Sequence, residues 1–522
     1  MKKDRGQRQP RQGFDGCPLS RRRFLAGCAA CLGGVGALSA RAQPSGESRK
    51  VRARLVFSHT TPDRITWPNI GYDYEAHTKQ FAEQLGQACP QIEFLPVWTK
   101  NAAEAKKIME EDKQVDGYVV YMAGMGGGGP ALIPLLGAAG RPTVLVDHLY
   151  AGGGQFLSAN ATARGKGWKV IGLAASRFED IAEVVRRFAI LKEPGAAADD
   201  FFAAAEAVRR KNIPSAGDIS CAEDAPQIRD IGECLEKLRN SKILVVGKDQ
   251  KALGGAIEQI FGAKVVGLEF SVLDQAWRNA DREEAAAWAD RWIGEAEKIV
   301  EPARDDIVKS GAMCVAMRGL MRQHDAQAIT VHCLRGFYSG SLQAYPCLGF
   351  CQFNNDGSVG ACEADLSSTI TMLAVGCLTG RPGMISDPVF DTSKNQVIYA
   401  HCVAPSKVFG PQGPSNPFHI RSHSEDRRGA AVRSLMPLGY MTTTLKFIPT
   451  TRKAVLHQGK AVANIDEDRA CRTKLAVELK GDIDKLLNGW SSGWHRVTFY
   501  GDLKAPIQEL CQALGVTLIE EA

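Results

Sequence analysis

Glu363 and Asp387 stand twenty-four positions apart, flanking an apolar, helix-length segment, Leu366 to Leu378. Glu363 sits in an ACEAD turn, and Asp387 ends an apolar run and precedes Pro388. His401 closes the next strand-like run, Val397 to His401, and His495 lies far downstream in GWHRVTFYGD. Two carboxylates held at the ends of one buried element can converge on one cation, and hard divalent cations take oxygen ligands with an occasional imidazole. Taken singly, each carboxylate reads rather as an ordinary turn or cap residue, Asp-Pro being a common turn pair. Taken together, the stretch Pro346 to His401 and the late histidine read as one metal site. Nucleophile signatures are absent: there is no GxSxG and no papain-like CGSC. His419 and His423 flank Arg421 in HIRSH and read as loop histidines, with anion or hydroxyl binding as the other reading.

The elements that must position these residues follow from periodicity. Apolar strand runs at Val51 to Phe57, Ile92 to Trp98, Val115 to Met122 and Thr143 to Asp147 alternate with helical patterns at Tyr74 to Leu85 and Ala102 to Asp112. That alternation predicts a parallel sheet covered on both faces. Gly124 to Gly129, after the third strand, has neither GxGxxG spacing nor a P-loop Lys-Ser, so it reads as a flexible loop at the sheet's ligand-binding edge. Gly152 to Gly154 forms a second such loop, with His148 between them. A second α/β unit follows, with strands at Lys169 to Leu173, Lys242 to Gly247, Val265 to Phe270 (carrying Glu269) and Ala328 to Cys333. Its helices are expected over Phe178 to Leu191, Leu253 to Phe261, Arg282 to Glu301 and Asp305 to Arg322, and the chain from the helix near Phe201 to Lys242 reads as irregular. From Pro346 the strands become short and rich in Thr, Val and Tyr. The predicted fold is α/β: two doubly wound parallel-sheet domains followed by a β-rich, barrel-like C-terminal domain. The expected division is a signal peptide over 1–42, α/β domains over 43–175 and 176–345, and the β-rich domain carrying the metal site over 346–522.

Composition is ordinary for a globular chain of 522 residues, with 44% hydrophobic and 23% charged residues. The net charge of +6 arises in the N-terminal segment, where eleven Lys or Arg face three acidic residues over Met1 to Lys50. A near-neutral remainder gives no case for nucleic-acid binding. Ser20-Arg21-Arg22-Arg23-Phe24-Leu25 matches the twin-arginine export pattern, a Gly- and Ala-rich apolar stretch follows to Ala40, and Ala40-Arg41-Ala42 offers a cleavage site. The translocase of that pathway is therefore an expected partner, and the periplasm the expected location. Fifteen cysteines are present; Cys17, Cys28 and Cys31 fall in the signal, and the remaining twelve show no CxxC spacing, so a structural zinc site is poorly supported.

Three segments carry a family resemblance. Cys362-Glu363-Ala364-Asp365-Leu366, the spacing to Asp387, and His495 in HRVTFYGD ahead of a helix and a GVTLIEE strand resemble the L-fucose and L-arabinose isomerase family, as does Ala400-His401-Cys402. The resemblance covers most of the chain in element order and only its C-terminal third in specific motifs. It implies an intramolecular oxidoreductase that interconverts an aldose and a ketose through an enediol. Glu363 and Asp387 would be the acid–base pair, and Glu363, Asp387 and His495 the metal ligands. His401 would be a further ligand or a neighbour to one. The implied cofactor is a divalent metal, Mn²⁺ first with Mg²⁺ or Co²⁺ open; the implied partners are a sugar or polyol substrate and further copies of the chain. Trp490 and Trp494, just before His495, would either stack on a sugar face or pack in the core. An export signal is foreign to the cytoplasmic sugar isomerases of that family, so an exported sugar-binding protein on the same fold, or a metal-dependent epimerase or lyase, stand as alternatives.

Overall fold

Along the first strand, Val56 falls in one apolar cluster while Leu55 and Phe57 fall in another, so successive side chains feed cores on opposite faces of a sheet. The structure is a computed structural model and describes residues 50–112, 114–215 and 219–522. The export signal predicted over 1–42 lies outside the described residues. In the first sheet β1 (Val51–Ser58), β2 (Ile92–Thr99), β3 (Gly117–Met122), β4 (Thr143–Asp147) and β5 (Val170–Leu173) run parallel in the order β2-β1-β3-β4-β5. Helices Gly129–Ala138 and Gly153–Gly165 cover one face, and Tyr74–Ala88 and Phe178–Val185 the other. This is the doubly wound layer that near-continuous apolar strands require.

The second sheet is also parallel, in the order β10-β9-β6-β7, from β6 (Lys242–Val246), β7 (Lys264–Leu268), β9 (Ala328–Val331) and β10 (Val359–Ala361). Between β7 and β9, β8 (Lys298–Ile299) leaves this sheet and pairs with β13 (Phe418–Arg421). That pairing ends the helix expected over Arg282 to Glu301 at Glu295. Glu269 lies beyond β7, as the cap residue of the helix Phe270–Arg278. The stretch read as irregular contains a helix, Ile231–Arg239, whose first amides donate to the Asp230 carboxylate. Past Pro346 the chain first forms a helix, Cys347–Asn355, before β10 enters the second sheet.

The C-terminal strands are β11 (Met384–Asp391), β12 (Gln396–His401), β13, β14 (Ala431–Ser434), β15 (Met441–Ile448), β16 (Lys453–Asn464), β17 (Thr473–Lys480), β18 (Arg496–Tyr500) and β19 (Thr517–Glu520). Six pair antiparallel in the order β15-β18-β11-β12-β17-β16, and β16 pairs again with β15, so the sheet closes on itself. The barrel-like expectation is met by this ring, to which β19 adds in parallel beside β16. The helix Leu366–Thr379 shares an apolar cluster with β6 and β9 on one side and with Ile385, Val389, Ile398, Leu445 and Val497 of the ring on the other. Burial on both sides explains its all-round apolar sequence. Among the described residues no helix is long and apolar enough to cross a membrane.

Candidate metal centre

Three neighbouring strands and one helix N-terminus meet at one end of the ring. β11 and β18 pair Met384 with Thr498, Ile385 with Val497 and Ser386 with Arg496. Continuing that register sets Asp387 opposite His495, the residue just before β18. On the other side Asp387 pairs with Ala400, next to His401. Beyond Ser386 no β18 residue pairs with β11, so Pro388, which has no amide to donate, fits there. Glu363 arrives from the short connection between β10 and the helix Leu366–Thr379.

That connection is a strained elbow. Glu363 and Ala364 both have positive φ, 63° and 48°. Left-handed backbone costs a non-glycine residue roughly 1–2 kcal/mol. Fixed contacts hold it in place: Ala364 donates its amide to the Val331 carbonyl at 2.9 Å, and Gln250 donates to the Ala364 carbonyl at 2.6 Å. Asp365 then caps the helix through the Ser368 amide at 3.0 Å.

One donor atom each from Glu363, Asp387, His401 and His495 lies within 4.8 Å of the others. His495 Nε2 is 3.2 Å from an Asp387 oxygen and 3.6 Å from a Glu363 oxygen; His401 Nε2 is 3.8 Å from the other Glu363 oxygen. His401 is 2% exposed. All three residues predicted for the site are thus brought together, with His401 as a fourth.

Electrostatics separate the two carboxylates. Burial pushes the Glu363 carboxyl up to about 8, Asp387 adding to the rise while His495 opposes it. Burial acts to raise Asp387 too, but the adjoining His495 outweighs it and holds Asp387 below the usual carboxylate range. Burial pushes His401 down to about 4, keeping its ring neutral. His495 loses solvation on burial, yet Asp387 and Asp365 hold it well above the usual histidine value.

Asp365 and Lys446 were not singled out by sequence. An Asp365 oxygen lies 3.0 Å from His495 Nδ1 and accepts from Lys446 Nζ at 3.1 Å. With its Nδ1 proton directed at Asp365, His495 presents Nε2 to the carboxylates. The signal for Asp365 is its place two residues after Glu363 at the head of an apolar run; nothing near Lys446 in sequence marks it.

The donor set fits a divalent cation. Both ring nitrogens of His401 are buried without a hydrogen-bond partner, which is costly unless something else satisfies them, and Nε2 of His495 faces carboxylate oxygens of Asp387 and Glu363. Two carboxylates with two imidazoles suit a first-row divalent ion.

The remaining candidates fall outside this cluster. Trp490 is buried against Phe390 and under the Arg496 guanidinium, which sits 4.0 Å above its ring. Trp494 is 37% exposed and donates to Ser158 on the helix Gly153–Gly165. His148 is buried among aromatic rings, stacked on His77 at 3.9 Å. His419 lies on β13 rather than in a loop, beside Glu297, and His423, in the loop after β13 as expected, is buried with Nδ1 3.0 Å from Asp426.

No family model matches the chain. Over 237 residues it is 26% identical to the sulfoquinovose isomerases of Priestia aryabhattai and of Priestia megaterium (strain ATCC 12872 / QMB1551). The alignment covers 43% of this chain and 52% of each relative, so the chain spans about half the length of the curated relatives it matches. What it is similar to, over that part, is a pair of sugar isomerases.

Proposed function

We propose that this chain is a metal-dependent isomerase that interconverts an aldose and a ketose. The observation that carries the reading is the convergence of Glu363, Asp387, His401 and His495 on one point. Likeness to relatives named for isomerising sulfoquinovose supports it. The substrate class is an open-chain sugar, sulfonated sugars included.

Glu363, Asp387, His401 and His495 would hold the ion, with Mn²⁺ the proposed metal. A divalent cation held there would supply Lewis-acid polarisation of the sugar carbonyl. Glu363 keeps 28% of its side chain accessible against 17% for Asp387, and so faces the substrate more openly. It takes the proton from the carbon beside the carbonyl and returns it to the former carbonyl carbon, the intermediate being an enediol. Asp387 passes the second proton between the two oxygens. Asp365 keeps the His495 ring turned toward the site, and the Glu363–Ala364 elbow keeps the Glu363 carboxylate in place before substrate arrives.

The test is metal content of the purified protein beside an aldose–ketose conversion screen with added Mn²⁺, for wild type, Glu363→Gln and Asp387→Asn. Stoichiometric metal, with conversion abolished in both variants, is the expected result. Sugar binding without turnover would point to the binding-protein alternative, and a product changed at another carbon to an epimerase or lyase. Export is proposed with the same reading: a reporter fused after residue 42 should leave the cytoplasm, and Arg21→Lys combined with Arg22→Lys should retain it.

A further inference from the structure

We propose that Cys333 and Cys362 are a disulfide-forming pair, a modification site that fastens the Glu363 elbow to the edge of the second sheet. Their sulfurs lie 3.1 Å apart, inside the roughly 3.5–4.0 Å at which even carbon atoms rest in contact. Twenty-nine positions separate them in the chain, and the sheet brings them together. β9 and β10 run parallel with Thr330 beside Ala361, so both strands leave the sheet at the same edge. Cys362 follows β10 directly and precedes Glu363; Cys333 opens the helix Cys333–Tyr338 just past β9. Both are buried, at 2% and 5% exposure. All twelve cysteines among the described residues are free thiols in this structure, and this pair is held in sulfur–sulfur contact with no atom between.

The consequence falls on the elbow. With free thiols, the left-handed Glu363–Ala364 backbone is secured by the Ala364–Val331 and Gln250–Ala364 hydrogen bonds. A bond from Cys362 to Cys333 adds a covalent anchor one residue before Glu363, in the conformation the elbow already has. A low-molecular-weight disulfide such as oxidised glutathione is sufficient oxidant. The thiolate of one cysteine attacks a sulfur of the glutathione disulfide and releases one glutathione thiol. The second cysteine's thiolate then attacks the mixed disulfide at the protein sulfur and releases the other. Two cysteine thiols are oxidised, one disulfide is reduced to two thiols, and the cysteine protons end on glutathione. Because both sulfurs are buried, exchange requires local opening.

The full-length chain is to be incubated with oxidised glutathione in sub-denaturing urea, returned to buffer, alkylated and digested. The expected product is a peptide pair joined through Cys333 and Cys362, two hydrogens lighter than the sum and lost on reduction. The oxidised protein should also melt a few degrees above the reduced one. Cys333→Ser and, separately, Cys362→Ser should each remove both the joined peptide and the redox-dependent shift; the two variants guard against one failing to fold. Recovery of both cysteines alkylated after oxidation, or of Cys362 joined to another partner such as Cys347, overturns the proposal. The readouts are mass and melting temperature, so the pair stands or falls independently of whether the site isomerises a sugar.

Discussion

His495 Nδ1 lies 3.0 Å from the Asp365 carboxylate, and that one contact decides which nitrogen of the ring faces Glu363 and Asp387. Asp365 is in turn neutralised by Lys446 at 3.1 Å, and both sit deep beside the ring of strands. The site therefore rests on a charged chain from Lys446 through Asp365 to His495.

Asp365→Asn tests that chain. Asparagine caps helices about as well as aspartate, so the Leu366–Thr379 helix should keep its N-terminus. The charge that orients His495 is lost. Metal affinity should fall by roughly 10–100-fold, the usual cost of removing a partner behind a liganding histidine. Titration of the purified variant with Mn²⁺ measures it, and an unchanged affinity would remove Asp365 from the site.

The elbow predicts a contrast at Ala364, which is fully buried with φ 48°. Ala364→Gly relieves left-handed strain of about 1–2 kcal/mol and adds unfolded-state entropy of about 0.5–1 kcal/mol, so stability should rise by up to about 1.5 kcal/mol. Ala364→Val brings a β-branched side chain into the same conformation and a packed space, and should cost about 2 kcal/mol or more. Denaturant midpoints at constant slope decide it; equal losses in both variants would mean the elbow is not strained.

How far the chain could be read without coordinates depended on the range of the interactions involved. Glu363 and Asp387 were legible because an apolar segment of helix length lies between them, and the sheet-then-barrel order was legible from changing periodicity. His401 was visible as a strand end. The strand register that sets Asp387 opposite His495 was not, because the β11–β18 alignment is a long-range choice that no local pattern records. The helix Cys347–Asn355 was missed because Gly, Phe, Cys and Asn are weak helix formers. Packing overrides that: a Cβ at Gly349 would meet Met317 at 2.7 Å, so glycine lets this helix lie close against Arg304–His324. Lys446 gains its meaning only from Asp365, a contact across 81 positions.

Glu206 predicts the acid limit of stability. It pairs with Arg209 and Arg164 at 2.7 and 2.8 Å, its side chain 14% exposed. Burial works to raise its carboxyl, but Arg209 and then Arg164 outweigh it and bring it from 4.5 down to about 2. The folded value lies below the unfolded one, so the stabilisation is present above about pH 4.5 and is lost as pH falls toward 2. It amounts to something on the order of 3 kcal/mol. Glu206→Gln should be less stable than wild type at pH 7, and the difference should shrink across that window. Urea unfolding at a series of pH values tests this; a gap that stays constant to pH 2.5 would refute it.

The residue just past the last strand supplies a different kind of support. Arg496, fully buried beside His495, is held by Glu521 at 2.9 and 3.0 Å, and the same carboxylate lies 3.0 Å from His457 Nδ1. His457 in turn reaches the Tyr399 hydroxyl. Truncating Glu521→Ala strands a guanidinium with no carboxylate inside the fold, which costs about 3–5 kcal/mol for a buried pair. A double change, Glu521→Ala with Arg496→Met, removes both charges and should recover much of that loss, because the penalty lies in the unpaired charge more than in the lost attraction. Thermal unfolding of the two variants beside wild type measures the recovery. If the double variant is as unstable as the single one, Arg496 matters through its contacts with the Ser491 and His495 carbonyls and the Trp490 ring, and the segment that presents His495 depends on the guanidinium itself.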